Sequence, residues 1–234
     1  MPGRFTLTAT ADQLRDAFPG FEVPDQWLPR YNVAPGAPIA VITNEGTGAL
    51  DFMTWGLVPP WSSGVKMDKL LINGRSETAA SKPSFKNAFR RRRCLVLADG
   101  VFEWVKFKGK KAKVPYYIYL KGHPVFAYAG LWESWHSIDG SEVKSCCILT
   151  CEPNELVAKI HHRMGVILDP KDYKAWLQPD EVDPKAVQPL MRPYPAEEMA
   201  YHQVTEKVSW AKNDGPENIA PVAEDERSEE SLKP

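Results

Sequence analysis

No stretch of this 234-residue sequence is apolar for long enough to span a bilayer, and no signal-peptide pattern opens it. No membrane partner is expected, and the default location is cytoplasmic, or nucleoid-associated in a bacterium. The net charge is only −1, so no global field advertises a nucleic-acid partner. Any such contact must come from a local basic patch. Cysteine is scarce at four residues, and none forms the paired Cys-x-x-Cys spacing of zinc ligands. Cys146, Cys147 and Cys151 lie in an apolar, strand-like run with small hydrophobic neighbours, where cysteine packs as a reduced, buried thiol. There are no repeats, no glycine-rich phosphate loop, and no separate Ser-His-Asp or Cys-His set. Neither a metal nor an organic cofactor is expected.

What is present is a soluble globular composition, 43% apolar and 25% charged, in a chain long enough for a real core. Thr10 can cap a short helix over residues 8–18, which Pro19-Gly20 stops. Proline and aromatic residues make 20–38 extended and turn-rich. Strands are expected at 39–43, 49–55, 94–98, 101–105, 116–120, 126–131, 146–150 and 199–208. Helical stretches are expected from 153–160 and 169–176, the latter with Pro170 in its first turn. Lys106 to Lys113 reads as a basic hairpin tip, and the acidic, Ser-rich stretch 224–234 as a disordered tail. Strands spread along the whole chain outweigh the helices, so the expected class is α+β. One β-rich domain covers 1–222, the tail takes 223–234, and the chain is expected to be a monomer.

Several residues carry chemistry. A small residue at position 2 favours removal of Met1, which would free an α-amine with a pKa of about 8, roughly two units below lysine. The bland alternative is a frayed terminus. Glu103 alternates with apolar and aromatic neighbours. Buried, it would have a raised pKa suited to proton transfer, whereas on a solvent face it would be ordinary. Trp61 near a loop tip reads as a lid on the core or a base-stacking platform. Arg90 to Arg93 read as a solvated face or as phosphate ligands. His161 and His162 are adjacent and point apart, which disfavours a shared metal and leaves an acid–base or hydrogen-bonding role.

Taken together, the motifs around Gly3-Arg4-Phe5, Arg30-Tyr31-Asn32-Val33-Ala34-Pro35-Gly36, Asn73-x-Arg75-x-Glu77-Thr78, Ala98-Asp99-Gly100-x-Phe102-Glu103-Trp104 and His161-x-Arg163-Met164 resemble the SRAP family. These are the SOS-response-associated peptidases, or abasic-site processing proteins. The resemblance covers about residues 1–222. It implies a β-rich α+β domain that binds single-stranded DNA containing abasic sites. In that family an N-terminal cysteine crosslinks to the sugar aldehyde, first as a Schiff base and then as a thiazolidine. The same likeness implies that Asn73 positions the N-terminal residue, Glu103 moves protons, and His161 assists proton transfer or reversal. It places Arg4, Arg75 and Arg163 on phosphates. Asn32, Pro35, Trp61 and Trp104 would then shape the DNA-facing surface.

Two positions depart from the pattern. Pro2 stands where the family has cysteine, and Gly165 where proline is expected. Without a thiol no thiazolidine can form. The chain then becomes a plain single-stranded DNA binder or, with Met1 removed, a lyase working through an N-terminal proline iminium. A peptidase acting on its own N-terminus is a further reading, and glycine at 165 predicts a less well fixed loop around His161.

Overall fold

The computed structural model describes residues 2–46, 48–64, 70–109, 112–122 and 125–223. The acidic stretch 224–234 and part of the expected 106–113 hairpin tip lie outside the described residues. Among the described residues thirteen strands dominate: β1 (Phe5–Leu7), β2 (Arg30–Val33), β3 (Pro38–Thr43), β4 (Asp51–Trp55), β5 (Asn73–Arg75), β6 (Arg93–Ala98), β7 (Gly100–Val105), β8 (Val114–Leu120), β9 (Phe126–His136), β10 (Glu142–Cys151), β11 (Met164–Gly165), β12 (Ile167–Leu168) and β13 (Met199–Gln203). The helices are short and peripheral, so the α+β expectation holds.

Five strands close on themselves. Strand β10 pairs with β4, β4 with β3, β3 with β6, β6 with β9, and β9 returns to β10 across Glu142↔His136 to Ile148↔Gly130. Closure leaves no open edge in the ring, and β5, β11 and β12 attach to its long strands. The expected strand at 126–131 continues to His136 because β9 carries partners along its whole length.

The second sheet has the order β13-β8-β7-β1-β2, all antiparallel. Here the start of the chain sits inside a sheet. Strand β1 is flanked by β2 and β7, with Phe5 opposite both Val33 and Val101. Asp99 clamps this strand: its carboxylate accepts from Thr6 Oγ1 at 2.5 Å, Thr8 Oγ1 at 2.7 Å, the Ala9 amide at 3.0 Å and the Thr8 amide. The Phe102 amide donates to the Arg4 carbonyl at 2.9 Å, so residues 2–4 run beside Glu103 and Trp104. This pairing holds the described start of the chain, from Arg4 to Leu7, in the sheet.

Three local expectations change. Helix α1 spans Ala11–Ala17 with the capping box of Thr10 and Gln13, and the expected helix at 169–176 splits into a 3-10 turn and a four-residue helix. The strand expected to reach 208 stops at Gln203; a 3-10 turn follows, in which Val208 packs on Phe102 and Tyr117. The arginine run divides: Arg90 and Arg91 lie on an exposed face, as one of the two readings had it, whereas Arg93 is buried. Arg90 and Arg91 pair with Glu181, Arg92 pairs with Glu133, and buried Arg93 donates to the carbonyls of Trp176, Phe89, Arg90, Gln178 and Asp180. Its donors are used up on the backbone, which removes it as a phosphate ligand.

Candidate functional site

Residue Pro2 is buried, and its ring lines a cavity of about 20 Å³ together with Glu103, Tyr128, Arg163, Met164 and Gly165. That volume holds about one water molecule. Asn73, at the start of β5, donates from Nδ2 to the Pro2 carbonyl at 2.7 Å. Its buried Oδ1 has no hydrogen-bond partner, which leaves an acceptor beside Pro2. Strand β5 reaches this place by pairing in parallel with β10, Asn73 opposite Ile148.

Glu103 is 8% exposed, which decides between the two readings of its alternation in favour of burial. Its strand is central in the sheet, between β1 and β8, and residue 103 lies on the buried face of that strand. Burial pushes its pKa up from 4.5 to about 7, against the opposing charge and hydrogen bond of the chain's amino terminus and the charge of Lys113. A carboxyl group that is half protonated near neutrality can both give and take a proton.

His161 shows the converse shift. Burial and the positive amino terminus lower its pKa to about 4, so the ring is neutral at physiological pH. The Arg163 amide donates to Nδ1 at 3.0 Å, and an N–H can only donate. The same Nδ1 also lies 3.1 Å from the Arg163 carbonyl, so both polar groups of the residue 163 backbone hold the ring through Nδ1. Glu103 and His161 come from distant parts of the chain, yet both respond to the same terminal charge and to Lys113.

Arg163 is fixed by a bidentate pair with Glu77, Nη1 to Oε1 at 2.8 Å and Nη2 to Oε2 at 2.9 Å, and Nη2 also donates to the Thr150 carbonyl at 2.5 Å. Only Nε lacks a partner. This arginine is an internal brace for the His161 turn, not a free surface cation. Glu77 was visible in its motif but carried no role in the sequence reading, because nothing local shows that helix α2 (Ser76–Ala79) meets residue 163.

Gly165 corrects the expectation of a loose loop. It lies in β11, paired with Thr150, and a Cβ there would fall 2.4 Å from the Tyr128 ring and 3.0 Å from Pro2 Cγ. The two positions that depart from the pattern therefore touch, and glycine supplies space rather than flexibility.

The remaining residues separate. Arg4 is half-buried, donating from Nη1 to Asn32 Oδ1 at 2.7 Å and the Val208 carbonyl at 3.0 Å, with its guanidinium 5.8 Å from the Trp104 ring. Asn32 is 1% exposed and its Nδ2 binds the carbonyls of Val208, Trp210 and Asn213. It anchors that segment and offers no free amide to DNA, which corrects its placement on the DNA-facing surface. Arg75 and Pro35 are exposed. Trp61 is 69% exposed on a separate cleft with Val58, Pro59 and Leu70, so it is neither a core lid nor part of the Pro2 cavity.

A family model described as SOS response associated peptidase (SRAP) matches residues 1–211. The chain belongs to this family. Among SRAP relatives, it is 40% identical over 222 residues to the abasic site processing protein YoqW of Bacillus subtilis, covering 94% of this chain and 99% of that protein. It is 32% identical to the abasic site processing protein HMCES of Gallus gallus, covering 95% of this chain and 78% of that one. A solved protein from Bacteroides thetaiotaomicron shares the fold with a TM-score of 0.81 at 24% identity, covering 94% of this chain and 99% of that one. Among the described residues no group of three or more His, Cys, Asp or Glu is placed to hold a metal, and no helix is long and apolar enough to cross a membrane.

Proposed function

We propose that this chain processes abasic sites in single-stranded DNA and reacts with the ring-opened sugar aldehyde through the Pro2 nitrogen after Met1 is removed. The reading is supported by relatives named as abasic site processing proteins and by one observation above the rest. Pro2 is gripped by Asn73 at 2.7 Å in the same cavity as a Glu103 whose pKa sits at about 7. A chain that had kept the fold but dropped the chemistry would have no need of a buried acid against its first residues.

The chemistry follows from the amine. A secondary amine adds to the aldehyde carbon to give a carbinolamine, which loses water to form an iminium ion. Glu103 in its acid form supplies the proton that leaves with the water. The iminium acidifies the neighbouring sugar C2′; loss of that proton to Glu103 carboxylate expels the 3′ phosphate by β-elimination. Hydrolysis then returns the free amine. Neutral His161 lies within electrostatic reach of the same terminus and can assist the proton transfers there. With Met1 attached the Pro2 nitrogen is a tertiary amide, and none of these steps occurs.

Borohydride trapping on an abasic single-stranded oligonucleotide tests this. The expected result is a reduced adduct on Pro2 together with strand nicking. Binding with neither adduct nor nicking would make the chain a non-catalytic DNA-binding module. N-terminal mass analysis of Glu103→Ala shows whether removal of Met1 depends on the same site.

A further inference from the structure

Glycine is required either where the backbone turns left-handed or where a side chain would not fit. Gly165 does not take a positive φ, unlike Gly36 and Gly56, so its backbone would accept an ordinary side chain. Space is the reason. A Cβ there would lie 2.4 and 2.7 Å from Cε1 and Cδ1 of Tyr128, and 3.0 Å from Pro2 Cγ. Tyr128 is 1% exposed and registered between Val96 of β6 and Ile167 of β12, so its ring has little room to retreat.

Pro2 is held across strand β10. Thr150 registers with Arg75 of β5 and with Gly165 of β11, which puts those two strands on opposite edges of β10. From β5, Asn73 Nδ2 donates to the Pro2 carbonyl; from β11, the bare Gly165 faces Cγ on the far side of the pyrrolidine. The nitrogen is a member of that ring, so holding the carbonyl and Cγ also fixes where the nitrogen sits. An acyclic first residue has no such link, because its amine turns independently of its side chain. Tyr128 joins this grip to the acid. It lines the same cavity as Pro2 and Glu103, and burial and then the Glu103 charge push its phenol pKa up.

We propose that Gly165, backed by Tyr128, is a specificity-determining position whose missing side chain seats a pyrrolidine and so fits this site to a secondary amine. This rests on the reading that the Pro2 nitrogen attacks the abasic aldehyde, and deepens it. Pro2 and Gly165 are then a matched pair, the glycine making room for the ring that the proline brings. Gly165 is a positioning residue, acting through the Pro2 ring and not on the sugar.

A double-mutant cycle on the full chain tests this, with borohydride trapping at saturating abasic oligonucleotide as the rate readout. Gly165→Ala should slow trapping about tenfold or more in the Pro2 chain, since a small displacement of a reacting group is enough. In the Pro2→Ala background, where a primary amine reacts and the ring is gone, the same change should cost no more than about twofold. A merely structural glycine would slow both backgrounds alike. If Pro2→Ala traps nothing, the cycle is read in melting temperature, where Gly165→Ala must again cost less without the ring. Should Gly165→Ala fail to fold, the cycle is run in Tyr128→Leu, which clears the facing ring and leaves the Pro2 contact. Equal losses in both backgrounds, or unchanged trapping in Gly165→Ala, overturn the matched pair and leave the Pro2 chemistry standing. If the wild-type chain traps no adduct, that chemistry falls and the pair with it.

Discussion

The two sides of β7 differ in almost every property although Glu103 and Trp104 are adjacent. The inner side is buried, tightly filled and sets a carboxyl group near neutrality. The outer side is open, aromatic and cationic at its rim. The difference teaches that a single strand separates reaction from recognition. Variants on one side should therefore change rate, and variants on the other should change affinity.

The largest expected effect is on the inner side. Glu103→Gln should slow adduct formation by about 10²–10⁴-fold, the usual contribution of a positioned acid–base group, with DNA affinity little changed. Rapid-quench trapping at saturating oligonucleotide measures it, and an equal loss of affinity would break the division of labour. Asn73→Ala comes next. Loss of the hydrogen bond to the Pro2 carbonyl should cost about 1–3 kcal/mol in positioning, or about 5- to 150-fold in rate.

The pH profile sharpens the comparison. Glu103 must start as the acid, since giving its proton on dehydration leaves it as the carboxylate that β-elimination needs. The Glu103-dependent part of adduct formation and nicking should therefore fall as pH rises through about 7. His161 titrates at about 4 and should add no inflection near 6.5. For stability the signs are opposite. Glu103, raised in the fold, stabilises below about 4.5, and that contribution is lost as pH rises through about 7. His161, lowered in the fold, stabilises above about 6.5, and its contribution is lost as pH falls through about 4. Thermal melts of wild type and Glu103→Gln across this range separate the two.

Smaller effects concern the braces. Gly165→Ala should cost about 1–3 kcal/mol by overpacking against Tyr128 and Pro2, read as a lower Tm. Glu77→Gln loses the charge of the Arg163 pair and should reduce the rate by only about threefold to tenfold. Glu77 is partly exposed, so the stability of this pair is screened. Glu77→Asp should recover part of the rate, and a shift in the His161 titration followed by NMR would separate positioning from general destabilisation.

Much of this was legible in the sequence where motifs are contiguous. The class and family followed from blocks such as Asp99-Gly100 through Trp104, and Asn73, Glu103 and Pro2 do converge. Less legible were the strands of two to four residues, β1, β2, β5, β11 and β12, which are too short to show an alternation. Spacing could not say which side of β7 is inside, because that depends on β1 and β8 pairing across the chain. Nor could it show that Asn32 and Arg163 are consumed by internal partners, or that Pro2 and Gly165 touch. Each of these is set by long-range closure.

The most direct measurement is the intact mass of the purified chain before and after incubation with abasic single-stranded DNA under borohydride. The account predicts a chain that starts at Pro2 and gains one reduced oligonucleotide adduct, mapped to the Pro2 nitrogen. A chain that binds the same DNA but retains Met1, or shows no mass gain, would contradict it.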